Sequence, residues 1–106
     1  MDKEKKINFL KKYIPNKIEI SDLIKLGKEE EANEIKAQQR NIESGIAGLS
    51  NNYERIVITK KYILNESFDK IAEEINYSNS QTRRFHESGI NNLILWTRMN
   101  LNDNFK

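Results

Sequence analysis

The sequence predicts an all-α fold in one small domain, and three observations favour it. Glycine and proline are scarce, at 4 and 1 residues, whereas helix-favouring residues such as Glu, Lys and Leu are plentiful. Apolar residues recur at spacings of three and four, the period of an amphipathic helix. Capping residues and turn signals divide the chain into segments of helical length. A chain of 106 residues can build one hydrophobic core, but not comfortably two.

Composition excludes several kinds of site. The chain has no cysteine and one histidine, which excludes disulfides, thiolate chemistry and Cys- or His-rich metal sites. We find no phosphate loop and no nucleophile–base pair, so neither an enzyme nor a cofactor is expected. Without a membrane-length apolar run or a signal-peptide pattern, a cytoplasmic protein without membrane contact is expected. The net charge of +2 indicates no partner by itself.

Short helices are predicted at the start of the chain. Residues 3–14 can form a basic amphipathic helix, which Pro15–Asn16 is expected to end. Ser21 is expected to cap a second short helix over residues 22–26, and Gly27 is expected to stop it.

A longer helix is predicted from Lys28, because acids in its first turn favour the positive end of the helix dipole. One apolar seam follows it, formed by Ala32, Ile35, Gln39, Ile42, Ile46 and Leu49. The polar Gln39 leaves two interpretations open. The seam is either a coiled-coil-like dimer interface whose register Gln39 sets, or a surface that packs on the rest of the domain. Because the seam is short for a free-standing coiled coil, we favour packing within the domain.

The second half of the chain begins with a segment that would also suit a strand. Residues 53–64 are rich in β-branched side chains, yet we expect a helix because helical patterns follow directly. After a turn at Asn65–Glu66, Ser67 is expected to cap a helix over residues 68–76. The buried stripe of that helix is expected to be Phe68, Ile71, Ala72 and Ile75.

The last helix is predicted to run from Asn79 to about Leu101. Ser78, with Gln81 three residues later, matches a capping box at its start. Two helices joined by a short turn, the second with cations and amides at its start, match a helix-turn-helix. The recognition helix of such a unit enters the major groove N-terminal end first, so its early exposed residues face base edges.

On these residues the chain resembles a known family. The segment ERIVITKKYILNESFDKIAEEINYSNSQTRRFHESGINNL is similar to region four of bacterial sigma factors, which reads the −35 promoter element. It is more similar still to small phage-encoded regulators of the ArpU/RinA type, which are built on that module. The matching positions are Phe68, Ile71, Ala72, Ile75, Asn76, Tyr77, Ser78, Thr82, Arg84, His86, Gly89, Ile90 and Leu93. The resemblance implies a DNA-binding transcriptional regulator encoded by a phage or mobile element.

The sequence departs from the family pattern at three of these positions. Asn76 stands where glycine is common, which is tolerable because Asn accepts left-handed dihedrals. Thr82 replaces a valine, so a hydroxyl enters a semi-buried place. Gly89 replaces an alanine inside the last helix, at a cost of about 1 kcal/mol.

The resemblance implies DNA contacts for six residues. They are Asn79, Ser80, Gln81, Arg83, Arg84 and Lys70. Gln81 and Lys70 fall on phosphate-contacting positions and the other four on base-reading positions. Arginine pairs bidentately with guanine, and cations near phosphates gain affinity from counterion release. The alternative for Arg83 and Arg84 is an ordinary solvated helix face, paired with Glu87 one turn on.

The same reading implies partners. We divide the chain into residues 1–50, a helical segment that packs, oligomerises or contacts a partner, and residues 51–106, the DNA-binding part. The partners expected are double-stranded DNA, RNA polymerase and a second copy, because one short helix reads few base pairs and a homodimer doubles them. Two alternatives stay open: a module that binds RNA polymerase or another regulator without touching DNA, or a small terminase-like DNA-packaging subunit.

The last helix carries more apolar residues than one stripe needs. We expect the N-terminal helices to cover Ile90, Leu93 and Ile94, while Trp96 and Met99 are candidates for a partner surface. Three roles stay open for His86: contact with phosphate, contact with a partner, or capping of the domain edge.

Overall fold

The computed structural model of the protein describes residues 1–96, and this part of the chain is all-helical. It contains six α-helices and one π-helical turn: α1 Lys3–Leu10, α2 Tyr13–Lys25, α3 Glu29–Ala47, α4 Asn52–Ile58, the π-turn Thr59–Ile63, α5 Phe68–Ile75 and α6 Asn79–Asn92. No strand occurs among the described residues. The predicted all-α class is therefore confirmed, including the β-branched segment, which folds as α4 and the π-turn.

The helices pack around one hydrophobic core. α2 packs on α3 as a hairpin, α6 lies against both α4 and α5, and α1 reaches the far end of α6. The central cluster draws residues from both halves of the chain: Leu10, Tyr13, Ile42, Ile46, Leu49, Ile58, Tyr62, Ile90, Leu93 and Leu95. Because the cluster joins α1–α3 to α4–α6, burial of apolar surface ties the two halves to each other.

The seam of α3 is buried within the chain, against α2. Gln39 donates to the carbonyl oxygen of Tyr13 at 2.9 Å and accepts from the side chain of Asn16 at 3.0 Å. A buried amide must find such partners, and here they set the register between α2 and α3. The favoured interpretation, packing within the domain, is confirmed for this seam, and Gln39 is engaged inside the chain.

The start of the chain differs from the prediction. Pro15–Asn16 does not end a helix, because both residues lie in the first turn of α2, which runs unbroken to Lys25. Proline is tolerated there since the first N–H groups of a helix have no intrahelical partner. Ser21 lies inside α2 and caps nothing, so the predicted cap is wrong.

The predicted stop at Gly27 is confirmed. Gly27 has a φ of 75°. The N–H of Lys28 donates to the carbonyl oxygen of Leu23 at 2.9 Å, and that of Gly27 to the oxygen of Ile24 at 3.1 Å. These are the two hydrogen bonds of a Schellman motif, which requires a left-handed residue just after the helix.

The last helix is shorter than predicted. α6 ends at Asn92, and Leu93 is extended with φ −69° and ψ 130°. Lys6 from α1 occupies the helix end, donating to the carbonyl oxygen of Ile90 at 2.9 Å. Cations at this end of a helix satisfy its orphan carbonyls. The prediction of a helix to about Leu101 is wrong for residues 93–96, and residues 97–101 lie outside the described part of the chain.

The extended segment 93–96 crosses α3 at a glycine. A Cβ added at Gly45 would lie only 2.7 Å from the carbonyl oxygen of Ile94. Extended backbone sends alternate side chains to opposite sides, so Leu93 and Leu95 are buried while Ile94 and Trp96 are exposed. The prediction that the N-terminal helices cover Ile94 is wrong, and Met99 lies outside the described residues.

Candidate nucleic-acid interface

The turn between α5 and α6 is built as the sequence predicts. Ser67 caps α5, and Ser78 caps α6 by accepting from the N–H of Gln81 at 3.0 Å. Asn76 takes the left-handed conformation, with φ 63°. The N–H of Tyr77 then reaches the carbonyl oxygen of Ala72 at 3.1 Å, which completes the cap of α5. α5 and α6 are therefore joined by a three-residue turn whose backbone groups are satisfied.

The inner face of α6 is fixed by small residues. Thr82 is fully buried, and its hydroxyl donates to the carbonyl oxygen of Ser78 at 2.8 Å. The buried hydroxyl therefore has a partner inside its own helix. Gly89 faces α4, where an added Cβ would lie 3.1 Å from Ile58 Cγ1. An alanine would be crowded here, so glycine permits a closer approach of α6 to α4.

A buried carboxylate fastens α6 to α4. Glu54 is buried, accepts a hydrogen bond from the hydroxyl of Ser88, and accepts another from the side chain of Asn92 at 3.1 Å. Hydrogen bonds to an ionised acceptor are stronger than neutral ones. This contact holds the C-terminal half of α6 at a fixed rotation about its axis.

An aromatic triangle, formed by Tyr53, Tyr77 and Phe85, holds the turn against α4. The three ring centroids lie 5.0 to 5.2 Å apart, with two edge contacts and one stacked pair. Such arrangements contribute about 0.5–1.5 kcal/mol per pair beyond area burial. Sequence reasoning missed this triangle because its members are 8 to 32 positions apart and share no helical spacing.

His86 lies in the interior, so it does not cap the edge of the domain, which was one of the three roles left open for it. It is 8% exposed, its Nε2 lies 2.7 Å from the hydroxyl of Tyr62, and the edge of Phe68 packs on its ring. Desolvation is the main cause that lowers the pKa of His86 to about 4. The negative charge of Glu87 raises this pKa, and the positive charges of Lys61, Lys3 and Arg83 lower it. Near neutral pH the ring is uncharged and adds no cation to the surface.

The outer face of α6 carries polar and cationic groups. Ser80, Arg83 and Arg84 are exposed, while Asn79 and Gln81 are half-buried. The single acid of α6, Glu87, forms an ion pair with Lys3 of α1. The pairing of Glu87 with Arg83 or Arg84, which belonged to the alternative interpretation, is not formed. The negative charge of Glu87 is balanced by a lysine of α1, so no unpaired acid of α6 lies beside the two arginines.

The adjacent arginines point in different directions. Arg83 Nε donates to Asn79 Oδ1 at 2.8 Å, and its guanidinium carbon lies 4.4 Å from the centre of the Phe68 ring. Asn79 in turn donates to Asp69 on α5. Arg84 has no hydrogen bond or ion pair with any residue in 1–96. Arg83 is thus held at the side of α6, whereas Arg84 extends from its outer face.

The exposed Lys70 lies in a locally compensated group of charges. A hydrogen bond between the side chains of Glu66 and Glu74 raises the pKa of Glu66 and lowers that of Glu74. The positive charge of Lys70 lowers the pKa of both carboxyl groups. Lys60 forms an ion pair with Glu74 at 3.3 Å. The charge of Lys70 is therefore partly offset by these acids.

A second lysine beside α6 was missed by sequence reasoning. Lys61, in the π-turn, places its ammonium 4.7 Å from the centre of the Phe68 ring. It has no carboxylate within 4.0 Å among the described residues. Its position depends on the π-turn, in which an extra residue per turn shifts the helix face, and helical spacing cannot indicate that shift.

Residues 1–96 contain no group of three His, Asp or Glu side chains placed to hold a metal ion. Among the same residues, no helix combines the length and the apolar character needed to cross a membrane.

No protein-family model, no curated protein and no solved structure matches this chain.

Proposed function

We propose that the protein is a DNA-binding transcriptional regulator, encoded by a phage or mobile element, that reads double-stranded DNA with α6. The observation that carries the proposal is the outer face of α6, which starts at a capped turn and presents Ser80 and Arg84 to solvent. The only acid of that helix, Glu87, is paired with Lys3. A polyanion approaching this face therefore meets cations and short polar groups without an opposing charge.

The rigidity of the unit also supports the proposal. Base reading requires that side chains sit within reach of specific base edges, so the helix that carries them must be held firmly. Three devices fix α6: the Ser78 cap, the contact of Gly89 with Ile58, and the Glu54 hydrogen bonds. In this proposal Asn79, Ser80, Arg83 and Arg84 face bases, and Gln81 and Lys70 contact phosphate.

The α2–α3 hairpin is the proposed contact with RNA polymerase or with a second copy of the chain. Residues 13–47 hold five Lys/Arg against seven Asp/Glu, which disfavours approach to DNA. Ile18 and Leu26 are 62% and 68% exposed, and Ile24 is also exposed. Exposed apolar residues next to an acidic surface suit a protein partner better than a nucleic acid.

The same exposed residues favour a second candidate, a module that binds RNA polymerase or another regulator without touching DNA. The two candidates differ in salt dependence. Affinity for duplex DNA falls steeply with salt, by roughly one log–log unit per phosphate contact, whereas an apolar protein interface changes little.

A gel shift with DNA flanking the protein's own gene, at low and moderate salt, tests the proposal. We expect a specific, salt-sensitive shift that is lost in the double variant Arg83→Ala/Arg84→Ala. Lys25→Ala/Lys28→Ala is the matched control, because it removes the same charge from the far end of the hairpin. Absence of a shift at every salt concentration would contradict DNA binding, and a pull-down with RNA polymerase would then test the second candidate.

A further inference from the structure

Two cations converge on one ring at the side of α6. Lys61 and Arg83 lie 4.7 and 4.4 Å from the centre of the Phe68 ring. Neither has a carboxylate within 4.0 Å among residues 1–96. Cation–π contact stabilises each of them. Because neither cation is paired with a carboxylate, a negative group placed beside the ring would be attracted by both.

Arg83 is held in this sideways position by two contacts of its guanidinium group. Its Nε donates to Asn79, and Asn79 is itself anchored to Asp69 on the neighbouring helix. The contact with Phe68 restrains the guanidinium from the other side. Its rotation toward the outer face of α6 would break both contacts. Arg84, one position on, has no such restraint within residues 1–96 and shares the outer face with Ser80, four residues earlier.

The dimensions of a duplex give these two directions different meanings. A helix with its side chains is about 10–12 Å across, and the major groove is about 12 Å wide. A helix lying in the groove therefore meets base edges with its outermost residues and the phosphate backbone with its flanks. Arg84 occupies the outermost position, whereas Arg83 and Lys61 occupy a flank.

We infer that the adjacent arginines have separate tasks: Arg84 reads a base edge, while Arg83, together with Lys61, holds a backbone phosphate beside the Phe68 ring. This inference rests on the proposed function and refines it, because Arg83 becomes a phosphate contact in place of a base reader. Lys61 becomes part of the interface. Asn79 becomes the residue that positions Arg83.

The test begins with selection of duplexes from a randomised library by the wild-type chain. Binding of each variant is then measured on the enriched duplex and on the unselected library over a range of salt. Arg83→Ala and Lys61→Ala are expected to weaken both DNAs by the same factor and to reduce the salt slope by about one. Arg84→Ala is expected to weaken the enriched duplex roughly ten- to a hundredfold and the library far less.

Conservative variants separate the two tasks more sharply. Arg83→Lys keeps a cation for the phosphate and should keep both the slope and the enriched sequence. Arg84→Lys cannot form the bidentate hydrogen bonds to guanine and should lose discrimination between the enriched duplex and the library. Lys25→Ala, distant from the ring, should change neither quantity. Thermal unfolding followed by circular dichroism checks that every variant is folded.

The outcomes distinguish the inference from the function on which it rests. If the wild-type chain enriches no sequence, the proposed DNA-reading function is overturned, and the inference with it. If the wild type enriches a sequence but Arg83→Ala changes which sequence is preferred, only the separation of tasks is wrong. A Lys61→Ala variant with an unchanged salt slope would likewise remove Lys61 from the interface.

Discussion

The α2–α3 hairpin and the α4–α6 unit, residues 52–92, are both small helical structures, yet they are held together differently. The hairpin relies on one long seam of apolar residues with a pair of amides, Asn16 and Gln39, at its centre. The α4–α6 unit uses caps at the starts of α5 and α6, an aromatic triangle and the buried Glu54. The tip of the hairpin, next to Gly27, leaves Ile24 and Leu26 exposed, whereas α6 is held from its cap at Ser78 to Asn92.

The two regions also leave opposite surfaces in water. The hairpin exposes Ile18 and Leu26 beside a surplus of acids, whereas α6 exposes Ser80, Arg83 and Arg84. The large exposed apolar residues of the hairpin lie on α2 and in the turn after it, whereas the exposed residues of α6 are all polar or charged. The comparison therefore assigns different kinds of partner to the two regions.

The largest expected effect comes from the core that joins the regions. Ile58 is fully buried and contacts Gly89, so Ile58→Ala should lower the free energy of unfolding by about 2–5 kcal/mol. Because the core draws on both halves, we expect one cooperative transition in urea for the whole chain. The control Ile18→Ala, in an exposed site, should change stability by less than about 0.5 kcal/mol. Two separate transitions would show that the halves unfold independently.

A second effect is confined to the α4–α6 unit and depends on pH. The pKa of His86 is lowered from 6.5 to about 4, so the unfolded chain binds a proton that the folded chain does not. The contribution of the neutral ring to stability is complete above pH 6.5. This contribution is lost as the pH falls from 6.5 toward 4, and the total loss of stability is about 3 kcal/mol.

Urea unfolding of the wild type and His86→Gln at pH 7 and pH 4.5 measures this contribution. Titration of the carboxylates is common to both proteins, so the difference between their pH dependences isolates His86. The wild type should lose more stability on acidification than the variant. Equal losses in the two proteins would contradict a buried neutral His86.

The smallest of the three effects belongs to the hairpin. Gln39→Ala leaves the carbonyl of Tyr13 and the amide of Asn16 without their partner, which should cost about 1–3 kcal/mol. The double variant Asn16→Leu/Gln39→Leu removes both polar groups and should recover part of the loss. Neither variant should alter the affinity for DNA in a gel shift. If either variant were folded but no longer bound DNA, the assignment of DNA to α6 and of a protein partner to the hairpin would be contradicted.

The features that the sequence predicted correctly are local ones. The cap at Ser78, the left-handed Asn76 and the stop at Gly27 depend on residues within one or two turns of each other. The seam of α3 is a long periodic pattern, and such patterns are reliable because burial acts on many residues at once. The all-α class follows from these local rules.

The features that the sequence did not reveal depend on distant residues or on competition between them. α6 ends at Asn92, where Lys6 donates to the carbonyl oxygen of Ile90 and the extended segment that follows buries Leu93 and Leu95. The partnership of His86 with Tyr62 spans 24 positions. All six candidate DNA contacts are exposed or half-buried in the structure. The sequence could not show, however, that the side chain of Arg83 turns toward Phe68.

The ion pair between Lys3 and Glu87 has a practical consequence for handling the protein. It places the first turn of α1 directly beside the outer face of α6. An affinity tag joined ahead of Asp2 would emerge at this face, where a polyhistidine or acidic tag would add its own charge and bulk. Binding assays therefore call for a tag that is cleaved before use, since an uncleaved one would compete for the surface under study.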